Sequence, residues 1–402
     1  MSDMHTAIIN RIATRVWRDN SFRELIFSNP TLALIEEFGE VPSGFENVVF
    51  KARPVDRVSV HAAPSGRTLR VRAQRSDEPL SAVTRHVFGV HELVVVFYTK
   101  RCQYQCAFCT LPSTSAYSNV STPDLQKQLE QAFAHAGDEL DGIEMVSLGN
   151  EGSILDERTF SNEQLTYVLS RCAALPSVNE IVLETRAEFV SEGLLGQILD
   201  CIPGCKLTLK IGLESVDDRI RNTVLGKKMD LACFESVVKM LGARGVGLAT
   251  YVIVKADPAH SDEEGKEDAR RTCEYLKNLC RGSDTDLTLK INTMYRAEGS
   301  AWARAASEHG WVPPSIFDLA EVMLDVWDDH VKVFAGLYDE GLATRDGHYE
   351  IRPDFEPWAL NALERYNQTM DADLLRKVAN HRRIACTAMG NNLTKEIGHG
   401  EF

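Results

Sequence analysis

From His91 onward the sequence alternates between short apolar runs and amphipathic stretches, and this alternation constrains the fold more than any other feature. Six runs rich in Val, Ile and Leu are predicted as strands, at 93–97, 143–148, 180–183, 207–211, 248–254 and 287–291. Between them lie helical periodicities at 122–135, 162–174, 194–199, 231–242 and 263–279. Strands joined by helical crossovers pair in parallel, with the helices covering the sheet. Because six units are fewer than the eight of a closed barrel, we expect an α/β fold, a curved partial (β/α)6 barrel.

The segments on either side of this alternation have a different character. Residues 1–85 begin with apolar residues at helical spacing and end in a polar stretch with Pro and Gly. We predict a small N-terminal α+β unit with its linker at 1–85, the barrel at 86–295, and a mainly helical extension at 296–402. Within the extension, helices are predicted at 316–337 and 371–387, and the extension is expected to pack on the barrel.

The charge balance bears on possible partners. The 402 residues include 44 Lys and Arg against 58 Asp and Glu, a formal net charge of −14. Proteins that bind nucleic acid usually carry a basic surface, so this balance argues against nucleic acid and favours a small or cationic substrate. No apolar run approaches the roughly 18 residues of a membrane span, and the N-terminus lacks a signal-peptide pattern. We therefore expect no membrane contact and a cytoplasmic protein.

Three of the ten cysteines lie close together in the sequence. Cys102, Cys106 and Cys109 follow the first predicted strand, and ligands of barrel-type sheets bind at the carboxyl ends of strands. A four-iron cluster normally takes one thiolate per iron, so three thiolates leave one iron open. That iron can chelate the amino and carboxylate groups of S-adenosylmethionine and hold its sulfonium beside the cluster for one-electron cleavage.

Three other interpretations of these cysteines stay open from the residues alone. A zinc site would need a fourth thiolate or imidazole, and none lies nearby in the sequence. A redox dithiol would use Cys106 and Cys109 but leave Cys102 without a role. A structural trio would be buried, whereas this segment is polar. The cluster is favoured because it uses all three thiols in a loop at the end of a strand.

The cysteine segment resembles the radical S-adenosylmethionine (SAM) superfamily, whose C-x3-C-x-aromatic-C motif is matched by Cys102, Cys106, Phe108 and Cys109. The resemblance covers roughly residues 91–300. It implies a [4Fe–4S] cluster and SAM as cofactors, with Phe108 near the adenine. Where the family has a Gly-Gly-Glu motif that binds the amino group of SAM, this chain has Gly149, Asn150 and Glu151.

Two later strings, at 183–190 and 210–221, resemble the subfamily that contains the Elongator catalytic subunit and the archaeosine radical enzyme RaSEA. This resemblance implies that Glu184, Arg186 and Ser215 line the ribose and carboxylate side of the cofactor. From the residues alone, the same side chains are equally able to form ion pairs at the barrel rim.

Residues 7–65 resemble nitrile-hydratase-like leader peptides and the related end of nitrile hydratase alpha subunits. The resemblance rests on the stretch ATRVWRDNSFRELIFSNPTLALIEEFGEVPSG. The metal-binding cysteines of nitrile hydratase are absent, so it implies a module that docks a partner protein or peptide. A generic helical cap is an equal alternative.

The expected reaction begins with an electron from an external donor, a flavodoxin or ferredoxin, or dithionite in vitro. The 5′-deoxyadenosyl radical formed from SAM then abstracts hydrogen from a substrate carbon. Candidate catalytic residues at strand ends are Tyr251, Lys255, Lys290 and Tyr295.

The substrate is expected to be a polar small molecule, with an amino sugar of natural-product (antibiotic) biosynthesis as first choice. Its ammonium groups would be bound by the strand-end carboxylates Asp156, Glu157, Asp257 and Glu298. Dehydration, deoxygenation or epimerisation would fit. Leader-guided modification of a peptide and modification of a tRNA nucleoside are the alternatives.

Overall fold

Strands and helices alternate along most of the computed structural model, which describes residues 25, 29–41, 59–62, 69–72, 75–109, 111–113, 115–297, 300–337, 347–348 and 357–381. The strands are β1 (Ser59–Ala62), β2 (Leu69–Arg72), β3 (Ser81–Val87), β4 (Val90–Phe97), β5 (Met145–Asn150), β6 (Glu180–Thr185), β7 (Lys206–Ile211), β8 (Gly247–Val254), β9 (Leu287–Thr293), β10 (Arg296–Ala297), β11 (Lys332–Gly336) and β12 (Gly347–His348). The helices are α1 (Pro30–Phe38), α2 (Thr122–Ala136), α3 (Asn162–Ala173), α4 (Glu192–Cys201), α5 (Leu231–Ala243), α6 (Asp262–Ser283), α7 (Ala301–Glu308), α8 (Ile316–Asp325) and α9 (Pro357–Thr369). Residues 372–381 are also helical.

One eight-stranded sheet forms the centre of the fold, in the order β11-β9-β8-β7-β6-β5-β4-β3. Its neighbouring strands pair in parallel, except that β3 runs antiparallel to β4. The sheet is curled into a half-barrel with helices against it, so the expected α/β partial barrel is confirmed. All six predicted strands belong to this sheet, which places their carboxyl ends along one edge.

Alternation within the strands separates an outer core from the barrel interior. On β4, Leu93, Val95 and Phe97 are buried in the main hydrophobic cluster together with Leu125 and Leu129 of α2. Each such side chain contributes about 1.5–3 kcal/mol by leaving water. The intervening positions of β4 face the interior of the half-barrel, where polar side chains collect.

The crossover helices begin at residues whose side chains cap them. In each case the capping oxygen accepts a hydrogen bond from a backbone N–H of the first turn, at Ser121, Ser161, Ser191, Asp230 and Ser261. A cap of this kind stabilises a helix by about 1 kcal/mol. The caps fix where each helix starts, and therefore how long the loop is that follows each strand at the functional edge.

The predicted helix at 316–337 is wrong in its second half. Helix α8 ends at Asp325, and the chain then turns and returns as β11, which pairs in parallel with β9. In the turn, the backbone N–H of His330 donates to the Asp328 carboxylate at 2.9 Å. The apolar spacing of this stretch fitted a helix, but burial of the β11 backbone against β9 decides the outcome. Of the predicted helix at 371–387, residues 372–381 are helical and the rest lies outside the described residues.

The two edges of the sheet are joined by the end of α9. The Asn367 amide donates to the Ala335 carbonyl of β11 and accepts from its N–H, both at 2.8 Å. The Asn367 carbonyl also accepts from the N–H of Phe88, in the turn between β3 and β4, at 2.8 Å. Helix α9 therefore bridges the gap between the first and last strands of the half-barrel.

Of the predicted N-terminal unit, the structure describes α1 and the antiparallel pair of β1 and β2. The rest of the leader-like segment at 7–65 lies outside the described residues, and the domain boundaries stay a prediction. Among the helices that are described, none combines the length and the apolar character needed to cross a membrane.

Candidate functional site

A cavity of about 210 Å³ opens at the carboxyl ends of the parallel strands, where the sequence predicts the site. Its walls come from the loop after β4 and from the ends of β5 to β9. The lining residues are Cys102, Tyr104, Cys106, Phe108, Cys109, Leu111, Glu151, Gly152, Glu184, Thr185, Arg186, Gly212, Glu214, Lys227, Tyr251, Ile253, Asn292, Thr293 and Tyr295. The three clustered cysteines and most of the predicted cofactor residues therefore meet in one place.

The cysteine loop, residues 102–109, is held by backbone hydrogen bonds at both sides. The Ala107 N–H donates to the Leu225 carbonyl at 2.7 Å, and the Ala107 carbonyl accepts from the Trp302 N–H at 3.0 Å. At its start, the loop lies against Gly152, where an added Cβ would be 3.0 Å from the Cys102 Cβ. The loop is thus fixed by neighbours that are distant in sequence.

The three sulfurs are free thiols. Burial raises the pKa of Cys109 to about 12 and also raises the pKa of Cys102. Binding of a metal ion by thiols releases their protons, so cluster assembly would remove the protons that burial favours on Cys102 and Cys109. No three Cys, His, Asp or Glu side chains of the described ranges converge on a single point. A four-iron cluster does not require such convergence, because each thiolate binds a different iron. The donor set therefore fits the cluster.

At the end of β5, Glu151 lines the cavity, whereas the Asn150 side chain forms hydrogen bonds within the turn that follows. The Asn150 amide nitrogen donates to the Ser153 carbonyl at 3.3 Å, and its oxygen accepts from the Gly152 N–H at 3.0 Å. Asn150 thus shapes the turn that presents Glu151 and does not line the cavity. Gly149 makes room for Glu184, since an added Cβ would lie 3.4 Å from the Glu184 Oε2.

Of the cofactor residues predicted at the ends of β6 and β7, Glu184 and Arg186 line the cavity and Ser215 does not. Glu184 is paired with the buried Lys210 at 2.8 Å. Ser215 is fully buried, and its hydroxyl donates to the Asp268 carboxylate on α6 at 3.1 Å. A contact of Ser215 with the cofactor is therefore not supported by its position.

The sequence analysis missed a buried ion pair in the cavity wall. Glu214 and Lys227 are paired at 2.7 Å, and each is less than one-tenth exposed. Glu214 has a positive φ of 70°, and its backbone hydrogen-bonds to Tyr251 and Ile253 of β8. Gly212 leaves room for this pair, because a Cβ there would lie 2.3 Å from a Glu214 carboxylate oxygen and would displace it. The sequence string at 210–221, which carries the subfamily resemblance, includes Glu214 and could have pointed to this residue.

The four candidate catalytic residues separate into two groups. Tyr251 and Tyr295 line the cavity. Lys255 lies in a separate surface groove, with its ammonium 2.7 Å from Asp262 and 2.8 Å from the Val312 carbonyl. Lys290 lies in a smaller cavity of about 70 Å³ in the barrel interior, with its ammonium 4.5 Å from the centroid of the Phe334 ring. The structure does not bring either lysine to the main cavity.

The strand-end carboxylates proposed to bind ammonium groups are not assembled in the cavity either. Asp156 pairs with Arg158 at 2.9 Å, and Asp257 pairs with Arg219. Glu157 is exposed to solvent, and Glu298 lies outside the described residues. The carboxylates that do line the cavity are Glu151, Glu184 and Glu214.

Comparison with known proteins places this chain among distant relatives. Archaeosine synthase subunit beta of Thermococcus kodakarensis is 20% identical over 287 residues, which cover 70% of this chain and 84% of that protein. The Methanosarcina acetivorans protein of the same name is 25% identical over 264 residues, covering 63% of this chain and 73% of its own. No family model matches the chain.

Among solved structures, the Elp3 protein of Methanocaldococcus infernus aligns with a TM-score of 0.41 and 14% identity, over 53% of this chain and 51% of its own. SuiB of Streptococcus suis, bound to its precursor peptide SuiA, aligns with a TM-score of 0.42 and 14% identity, over 62% and 49%. HemN of Escherichia coli, a radical SAM enzyme, aligns with a TM-score of 0.40 and 13% identity, over 58% and 50%. The chain spans about half the length of these solved chains.

Proposed function

We propose that this protein is a radical SAM enzyme, with a [4Fe–4S] cluster on Cys102, Cys106 and Cys109 and with SAM in the adjoining cavity. One observation carries the proposal. Three thiols from a single loop share a cavity with three glutamates at the carboxyl ends of three successive strands of the half-barrel. Three thiolates satisfy three of the four irons, and the remaining iron is open to the polar end of the cofactor.

The protein supplies ligands, orientation and charge. When bound, the cluster and SAM together supply a one-electron cleavage that yields a 5′-deoxyadenosyl radical able to abstract hydrogen. We propose that Glu151 would accept hydrogen bonds from the cofactor's ammonium group. Glu184, which is paired with Lys210, would accept hydrogen bonds from the ribose hydroxyls. Phe108 would pack against the adenine.

Tyr251, Asn292 and Tyr295 also line the cavity, from the last two strands that contribute to it, and we propose that they bind the substrate. Phenol and amide groups suit a neutral, polar substrate that is bound through hydrogen bonds. An amino sugar is no longer the favoured substrate, because the described carboxylates expected to bind its ammonium groups do not line the cavity. We place a tRNA nucleoside first, since two relatives are named archaeosine synthase subunit beta. Because both are named as subunits, we also propose a partner chain, which would supply a basic surface that the acidic composition does not predict.

Metal analysis tests the cofactor assignment. After anaerobic reconstitution, the wild-type chain is expected to hold about four irons and four sulfides, and Cys106→Ala is expected to lose most of them. Cys172→Ala is the matched control, because Cys172 is fully buried in the core and does not line the cavity. Equal iron in the Cys106 variant and the wild type would exclude the assignment.

Isotope transfer tests the substrate. With reduced, reconstituted enzyme, deuterium from a labelled substrate is expected to appear in 5′-deoxyadenosine. tRNA, a leader-bearing peptide and an amino sugar would be compared, each at several salt concentrations, because RNA binding depends strongly on salt. Transfer from the peptide or the sugar, and none from tRNA, would reverse our order of preference.

A further inference from the structure

The side chain of Arg186 connects three separate segments around the cysteine loop. Its guanidinium lies over the ring of Tyr104, with the Cζ atom 3.7 Å from the ring centroid. Tyr104 lies within the cysteine loop itself, between Cys102 and Cys106. A guanidinium at this distance from an aromatic face forms a favourable cation–π contact, and the contact is stronger when it is shielded from water. Arg186 is only 7% exposed.

The edge of the same guanidinium is already bound to protein groups. Its Nε and Nη2 donate to the two oxygens of Glu188, at 3.2 and 2.6 Å. Its Nη2 also donates to the carbonyl of Lys227, at 2.8 Å. A planar guanidinium that uses its face on a ring and its edge on a carboxylate is fixed in orientation. Arg186 is therefore held firmly before any cofactor arrives.

The segment that receives Arg186 also contacts the cysteine loop directly. The Leu225 carbonyl accepts from the Ala107 N–H, and Gly226, with φ of +63°, approaches the same backbone. An added Cβ on Gly226 would lie 3.3 Å from the Ala107 nitrogen. Residues 225–227 and Arg186 thus hold the cysteine loop from two sides.

Tyr104 links this arrangement to a cluster ligand. Its backbone N–H donates to the Cys102 sulfur at 3.4 Å. Hydrogen bonds to cluster sulfurs and nearby positive charge both stabilise the reduced, more negative state of an iron–sulfur cluster. The ring that lies under Arg186 and the N–H that contacts the Cys102 sulfur thus belong to the same residue of the cysteine loop.

We propose that Arg186 is a positioning residue for the cluster, which clamps the cysteine loop through Tyr104 and makes the cluster easier to reduce. This replaces the direct contact with SAM implied by the sequence resemblance, and it rests on the proposed function. Arg186 then acts through Tyr104 and through its charge, and the cofactor is bound by other residues of the cavity.

Substitutions at Tyr104 test the clamp while leaving Arg186 in place. Tyr104→Leu removes the aromatic face, and Tyr104→Phe keeps it. Each would be reconstituted anaerobically, and iron content, the EPR spectrum of the reduced cluster and its midpoint potential would be measured. We expect Tyr104→Leu to lower iron retention about threefold or more and to change the spectrum. Tyr104→Phe should match the wild type.

Arg186→Gln separates the clamp from a direct cofactor contact. We expect a midpoint potential more negative than that of the wild type, together with the altered spectrum of Tyr104→Leu. Circular dichroism and thermal unfolding of the metal-free variants would show whether each one folds. A Gln variant with wild-type iron, potential and spectrum, but with weakened equilibrium binding of SAM, would overturn the inference in favour of direct contact. Wild-type iron, spectrum and potential in Tyr104→Leu would also overturn it. Failure of the wild-type chain to hold iron would instead contradict the proposed function.

Discussion

At the scale of single residues, the buried ion pair of Glu214 and Lys227 has a large energetic consequence. Both side chains are less than one-tenth exposed, and they line the cavity that we assign to the cofactor. Bringing two charges out of water is costly, and their attraction offsets this cost only while both are present. Each charge of the pair therefore depends on the other to remain buried in the cavity wall.

Glu214→Gln is expected to destabilise the protein by about 3–5 kcal/mol, because it leaves the Lys227 ammonium buried without its carboxylate. Urea unfolding followed by circular dichroism measures the change. The double variant Glu214→Gln with Lys227→Met should recover most of the loss, since it leaves no buried charge. If Glu214→Gln and Lys227→Met each lower the free energy of unfolding only slightly, and the double variant lowers it by their sum, the two side chains are not energetically coupled.

The Asp268 carboxyl predicts a dependence of stability on pH. Burial raises its pKa above the usual 3.8, although Ser215 and Arg271 oppose this shift. The folded state therefore keeps this proton to a higher pH than the unfolded state does. Below pH 3.8 the carboxyl is protonated in both states and does not change the free energy of unfolding. As pH rises from 3.8 through the folded pKa, the free energy of unfolding falls. Asp268→Asn should raise the free energy of unfolding at neutral pH, with a gain that shrinks as pH falls towards 4. Unfolding curves between about pH 4 and 8 check this, and a loss of stability at every pH would contradict it.

Much of the site could be predicted from residue types and spacing, but the direction of several side chains could not. The cysteines, Glu151 and Glu184 are found on one cavity because parallel strands end at a common edge. Ser215 is directed away by Asp268, a residue on a helix 53 positions later. Lys255 has a φ of +62°, which a sequence pattern does not reveal for a lysine.

At the scale of secondary-structure elements, the close approach of α5 and α6 depends on a glycine. A Cβ on Gly242 of α5 would lie 1.8 Å from the Ser283 carbonyl at the end of α6. Backbone cannot move aside as a flexible side chain can, so the two helices would have to separate. The periodicity of the sequence located both helices, but it could not show which glycine marks their contact.

Gly242→Ala is expected to destabilise the protein by about 1–3 kcal/mol through overpacking. Gly196→Ala is the matched control, because it lies in α4 with no atom within 4 Å of an added Cβ. The control should stabilise by about 0.5–1 kcal/mol, since alanine favours the helix. Equal effects of the two substitutions, measured by urea unfolding, would show that the α5–α6 contact tolerates a side chain.

The limits of prediction from sequence are clearest in the elements after β9. The helical pattern at 316–337 continued through residues that form β11, because Val333, Phe334 and Ala335 suit either state. Pairing with β9 selects the strand, and this contact depends on the fold as a whole. The six strands and the five helices between them were predictable because each strand–helix crossover repeats the same local pattern with its own cap.

At the scale of the whole molecule, the half-barrel depends on the bridge that α9 forms between its edges. Asn367 is 8% exposed and satisfies both backbone groups of Ala335. Asn367→Ala would leave these buried groups without partners, at a cost of about 1–3 kcal/mol each. Without the bridge, the two edges lose their shared hydrogen-bond partner.

We therefore expect Asn367→Ala to lower the free energy of unfolding and to speed hydrogen exchange at Ala335. Gln368→Ala is the control, because its exposed side chain is not needed for the bond between its carbonyl and the Gly89 N–H. The control should change stability by less than about 0.5 kcal/mol. Unchanged exchange at Ala335 in the Asn367 variant would show that the bridge does not protect β11.

We propose above that the cysteine loop and the cavity beside it generate a radical from SAM. The most direct measurement is the amount of 5′-deoxyadenosine formed by the anaerobically reconstituted protein with dithionite and SAM. We predict product from the wild type and from Cys172→Ala, and none above background from Cys106→Ala. Absence of product from the reconstituted wild type, or equal product from the wild type and Cys106→Ala, would contradict the claim.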